Sequence, residues 1–182
     1  MSDFSEYERI LDTIKNQVKV LILGPYDENC PKGMIKSCKE VLEDLKQFLI
    51  SQGFLNTRLV KDWKIKRNIP QVTFASLARH KSFHFIDNWA EILVFVFFEN
   101  GNNSSVGREF GHMVDSSREK CKYSTILRQN NLDLGTIIKG DINSERIVES
   151  QFLDKKELYD YAFAGCHNSL FSFPRNKFYD ML

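Results

Sequence analysis

The sequence predicts an α/β domain of three layers, flavodoxin-like or Rossmann-like, in which a parallel five-stranded sheet carries helices on both faces. Three observations predict it. The strongest apolar segments, VKVLIL at 18–23 and EILVFVFF at 91–98, are nearly unbroken rather than alternating, as strands covered on both sides must be. Each is followed by a loop of glycine, proline or small polar residues and then by a segment with helical spacing of apolar residues, the pattern of βαβ units joined by right-handed crossovers. A chain of 182 residues with 42% apolar and 13% aromatic residues has the length and material for one sizeable core.

The elements follow in order. Phe4, Tyr7, Ile10, Leu11 and Ile14 recur at helical spacing, so residues 1–17 are expected to form a helix outside the core, ahead of a single domain over 18–182. The strand 18–23 stops at Gly24 and Pro25. Met34, Val41, Leu42, Leu45, Phe48 and Leu49 then mark a helix ended by Gly53. Asn56 to Val60 is a weaker strand, and Gln71 to Phe85 a helix with Phe74, Leu77, Ala78 and Lys81 on one face. After the central strand 91–98, the polar loop ENGNNSS leads to a helix over 106–118, which Ser104 or Ser105 can cap. Residues 123–127 and 146–152 supply strands four and five, and Asp154 caps a last helix through Leu158, Tyr161, Ala162 and Gly165. The stretch 130–142 fits either a short helix or an extra strand.

Charge and cysteine content narrow the function classes. Twenty-five basic residues against 24 acidic ones leave a formal charge of +1 with no block of like charges, so a nucleic acid polymer is not the expected partner. The longest apolar run has seven residues, far short of the roughly 20 a membrane-spanning helix requires. The N-terminal segment lacks the features of a secretory signal, and Cys30, Cys38, Cys121 and Cys166 fall at irregular spacing without a CxxC pair. The expectation is a cytoplasmic protein with reduced thiols, no metal and no cofactor.

In an open parallel sheet, ligands sit at the carboxyl ends of the strands. Two loops there stand out. In the first, Gly24, Pro25, Tyr26 and Asp27 combine close backbone approach with an aromatic ring and a carboxylate, although the same composition also serves simply to end a strand. In the second, 100–109, Asn103, Ser105, Gly107 and Arg108 lead into a helix whose N–H groups could cradle a phosphate or ribose; the segment is neither a Walker loop nor GxGxxG. Glu109 lies in the first turns of that helix. Held ionised by the helix dipole, it could act as a nucleophile or oxocarbenium stabiliser, or it could be an ordinary dipole-complementing surface residue.

The strand and GPY at 18–26, the acid-containing strand 91–98, and Ser105-Val106-Gly107-Arg108-Glu109-Phe110-Gly111 together resemble the nucleoside 2-deoxyribosyltransferase family over roughly residues 18–128, and more distantly the TIR domains. The resemblance implies cleavage or transfer of an N-glycosidic bond in a nucleoside, nucleotide or NAD. Glu109 would attack the anomeric carbon, Tyr26 would border the sugar, and Asp87 or Glu99 would protonate the leaving base. It also implies self-association into a homo-oligomer, for which the aromatic C-terminal LFSFPRNKFYDML offers apolar surface. The family's aspartate ahead of the small residue and Glu is replaced in Asn102-Asn103-Ser104-Ser105, and its A-D pair by Ala90-Glu91. The competing class is therefore a non-catalytic ligand sensor or interaction module of the same fold, and a third is a TIR-like NAD hydrolase. His80 with His84, Glu109 with His112, and Lys64, Lys66 and Arg67 beside Trp63 are weaker constellations, more easily explained as polar helix faces and solvated charge.

Overall fold

In the computed structural model, which describes residues 3–64 and 74–174, the strands β1 (Lys19–Leu23), β2 (Asn56–Leu59), β3 (Ile92–Phe97), β4 (Ser124–Gln129) and β5 (Val148–Phe152) form one sheet. All pairings are parallel and the order is β2-β1-β3-β4-β5. The order reverses between β1 and β3, which creates a crevice at the carboxyl ends of those two strands.

Alternation along the strands divides the core in two. Val20, Ile22, Val94, Val96 and Leu127 face one way and pack on the helices α1 (Asp3–Gln17), α2 (Cys38–Ser51) and α6 (Lys155–Ser172). Leu21, Leu23, Leu93, Phe95, Phe97 and Ile126 face the other way, onto α3 (Phe74–Asn88), α4 (Ser104–Ser116) and α5 (Gly135–Glu145). Every residue of β3 is buried, which is why its sequence shows no polar alternation.

Three expectations shift, and one open alternative is decided. The N-terminal helix does not stay outside the core: Ile14 is fully buried and joins the α2/α6 cluster, because the chain turns into β1 at once through the Val18 N–H to Ile14 carbonyl bond. The second helix starts at Cys38 rather than near Met34, where Ser37 and Glu40 form a reciprocal capping box. No serine caps α4. Its N-cap is Asn103, and Asn102 Oδ1 accepts from the Ser104 N–H and hydroxyl. The ambiguous stretch is helical: Leu134, Ile138 and Ile142 lie at i, i+4 spacing against the core, and Arg146 in the left-handed region ends α5 before β5 begins. Asp154 caps α6, accepting from the Glu157 N–H, as the sequence suggests.

Among the described residues, no helix is long and apolar enough to cross a membrane. Lys66, Arg67 and most of the aromatic C-terminal segment lie outside the described residues.

Candidate functional site

On α4, Val106, Glu109, Phe110 and Met113 recur at i, i+3, i+4 and i+7, and all four are buried. Glu109 therefore occupies a slot on the core-facing stripe, one place from Phe110, whose ring meets Phe95 of β3 edge-on at 5.5 Å. Its side chain opens into a cavity of about 300 Å³. The ends of β1 and β2 contribute Tyr26 and Val60, α3 contributes Ala78, Arg79, Ser82 and Phe83, and α4 contributes Ser105, Arg108 and Glu109.

The electrostatics of Glu109 differ from the expectation of a dipole-held carboxylate. Glu109 is 8% exposed, and its Oε2 has no hydrogen-bond partner among the described residues. Burial pushes its pKa from the ordinary 4.5 up to about 7, and hydrogen bonding with the Ser82 side chain pulls it only partly back. Desolvation outweighs the dipole here because Glu109 is the sixth residue of α4, beyond the first turn where the dipole acts most strongly, and it faces inward. Near neutral pH the group is thus divided between acid and carboxylate.

Tyr26 forms a wall of the cavity, but its hydroxyl is committed elsewhere. It donates to the Ile22 carbonyl (3.2 Å) and accepts from the Val60 N–H (3.3 Å), tying the ends of β1 and β2 together. Burial, followed by the nearby Glu109, raises its pKa strongly, so the phenol stays neutral.

The other loop residues singled out in the sequence shape the site without lining it. A Cβ on Gly24 would stand 2.8 Å from Leu42 Cδ1, and one on Gly101 would stand 2.7 Å from Pro25 Cγ, so the glycines let the two loops pack against each other and against α2. Asp27 fastens them: its carboxylate accepts from the Asn102 N–H at 2.7 Å and the Asn29 N–H at 3.0 Å. Asn103 clamps the end of β3 through both backbone groups of Phe98. Gly107 faces Ile138 on α5.

Neither candidate second acid reaches the cavity. Asp87, at the end of α3, accepts from His112 Nε2 (2.9 Å) and the Ser117 hydroxyl (2.6 Å). Burial alone would raise its pKa, but these two hydrogen bonds and the neighbouring charges hold it below the usual range. Its only route to the site is mechanical: His112, held by Asp87, stacks flat on Phe83 with centroids 3.9 Å apart, and Phe83 lines the cavity. Glu99 is ion-paired with Lys32 (2.9 Å) in a separate, smaller cleft with Gln129 and Asn130. Glu91 lies at the opposite end of the sheet, where it accepts from the Lys19 N–H.

The structure therefore brings together Tyr26, Ser105, Arg108 and Glu109 of the sequence candidates. It adds Val60, Ala78, Arg79, Ser82 and Phe83. For the α3 residues a signal existed: Ala78 and Ser82 are small residues at i, i+4, which leave space opposite α4. Asp62 and Trp63 follow Val60 directly; Asp62 pairs with Lys46, and Trp63 stacks on Phe85, so neither contributes a free group to the cavity. Among the described residues, no group of three or more His, Cys, Asp or Glu side chains could hold a metal ion. Comparison of the chain with protein-family profiles, characterised proteins and solved structures returns no match.

Proposed function

We propose that the cavity binds a nucleoside or nucleotide and that Glu109 cleaves its N-glycosidic bond. The observation that carries this reading is Glu109 itself, whose buried Oε2 has no hydrogen-bond partner among the described residues and whose residue lines a cavity beyond the carboxyl ends of the parallel strands. Leaving a carboxyl oxygen dry and unbonded costs stability, and a surface or packing role would not require it. The apolar walls of Tyr26, Val60, Ala78 and Phe83 suit the faces of a base and sugar, and the resemblance of the motifs at 24–26 and 105–111 points to the same chemistry.

In this reading the ionised Glu109 oxygen bonds to the anomeric carbon as the carbon–nitrogen bond breaks. The bonding pair leaves with the base, which takes its proton from solvent, since no second Asp or Glu lines the cavity among the described residues. Water then attacks the glycosyl ester, its hydroxyl going to the sugar, its proton to solvent, and the carboxylate returning. A second base in place of water would make the reaction a transfer.

The distance of Asp87 and Glu99 from the cavity favours a second reading, a ligand sensor that binds without turnover. One experiment separates them. The protein and Glu109→Gln are incubated with nucleosides, nucleotides and NAD, and free base is followed by chromatography. Release by the native protein alone supports cleavage; no release, together with a thermal shift from one compound, supports the sensor.

A further inference from the structure

We infer that the ligand of this cavity carries a phosphate, bound at the mouth by Arg79 and Arg108, and that it is a mononucleotide rather than a nucleoside or a dinucleotide. The inference rests on the nucleoside or nucleotide reading above and names the substrate class within it.

Three observations lead there. Arg79 from α3 and Arg108 from α4 line the same cavity from two different helices, which brings two cationic residues to it. Both residues are exposed, and neither is paired with a carboxylate among the described residues, whereas Arg118 and Arg128 hold Glu145 and Glu149. Among the described residues Glu109 is the sole carboxyl group of the lining, and it is half neutralised near neutral pH, so the described lining is positive overall. A cavity with apolar walls, a buried carboxyl and two uncompensated guanidinium groups is complementary to a ligand with one apolar body and one dianionic end. Guanidinium is the side chain whose planar fork matches phosphate oxygens.

Volume decides between one nucleotide and two. About 300 Å³ lies at the lower limit of the roughly 300–1,000 Å³ range of drug-sized ligand sites. It accommodates one base and sugar, with the phosphate outside between the arginines. Among the described residues, the cavity offers the second nucleotide of NAD no enclosed surface to occupy. Ser105, in the first turn of α4 and on the same lining, adds a hydroxyl and the positive end of the helix to the phosphate side.

Isothermal titration of the native protein with the common nucleoside 5′-monophosphates, their matching nucleosides and NAD, at low and at 0.5 M salt, tests this. The expected result is that at least one monophosphate binds tenfold or more tightly than its nucleoside and than NAD. That preference should shrink at high salt and collapse towards unity in Arg79→Ala/Arg108→Ala, whose melting temperature and circular dichroism serve as the folding control. Equal affinity for monophosphate and nucleoside, or a preference that survives in the double variant, overturns the phosphate assignment while leaving the nucleoside reading intact. Tighter binding of NAD than of any monophosphate overturns the size argument. Failure of every compound to bind overturns both the nucleotide reading and this inference.

Discussion

Glu109→Gln removes the carboxyl group that lines the cavity among the described residues and leaves a side chain of the same size, so it isolates the electrostatic cost of burying the acid. The pKa of Glu109 rises on folding from 4.5 to about 7 because burial penalises the charged form. The folded state therefore binds more protons than the unfolded chain between those values, and stability falls as pH rises through that window. Below about pH 4.5 the cost is absent, and above about pH 7 it is complete. At about 1.4 kcal/mol per pH unit the full amount is roughly 3 kcal/mol. Glutamine carries no such term, while the remaining titrating groups are shared and cancel. Urea denaturation of both proteins at pH 5 and pH 8.5 is thus expected to move native stability relative to the variant by about 2 to 3 kcal/mol in the variant's favour at the higher pH. In thermal melts this is about 5 to 10 °C for a chain of this size. A stability difference that stays constant to within about 0.5 kcal/mol between the two pH values would show that Glu109 titrates normally and would refute the desolvation argument.

The same titration should appear in function: if the carboxylate attacks, kcat/KM rises through about pH 7 and then levels off, and a pH-independent profile from 5.5 to 8.5 would exclude Glu109 as the reacting base. Asp87→Asn and Glu99→Gln, which alter acids outside the cavity, should leave base release within about threefold of native, so a loss of a hundredfold or more in either would restore that residue as the proton donor. Tyr26→Phe keeps the cavity wall but leaves the Val60 N–H and Ile22 carbonyl without their shared hydroxyl, and should cost about 1 to 3 kcal/mol in chemical denaturation. Gly165→Ala would place a methyl 2.4 Å from Thr125 Oγ1, where α6 packs on β4, and should cost about 1 to 3 kcal/mol; a neutral result would mean that Thr125 can turn aside.

The fold is legible because its two strongest strands, β1 and β3, are buried on both faces. The runs at 18–23 and 91–98 carry no alternation to misread, and β1 and β3 lie side by side at the centre of the sheet. The ambiguous 130–142 was decidable in principle from Leu134, Ile138 and Ile142, but Gly135, Gly140 and Asp141 diluted the helical signal. The boundary at Cys38 was missed because Met34 continues the apolar pattern backwards, while the capping pair Ser37 and Glu40 marks the true start.

The site was less legible. Glu109 could be singled out by motif, yet its burial depends on sharing a stripe with Val106, Phe110 and Met113, and position near a helix start suggested the opposite charge state. On α3 the small pair Ala78 and Ser82 is a local signal, but nothing local says that Arg79 lines the same cavity rather than facing solvent alone. Conversely, Gly24, Asp27 and Asn103 looked like ligand contacts because residues that fasten two loops together have the same composition as residues that hold a phosphate.

If Glu109 attacks the sugar of a bound nucleoside or nucleotide, the mass of the protein changes during turnover. Acid-quenched samples incubated with the compound that releases base fastest would be digested and sequenced by mass spectrometry. The expected result is a peptide spanning Glu109 that is heavier by one glycosyl residue and absent from Glu109→Gln. Base release that persists in Glu109→Gln, with no adduct on the native peptide, would contradict it.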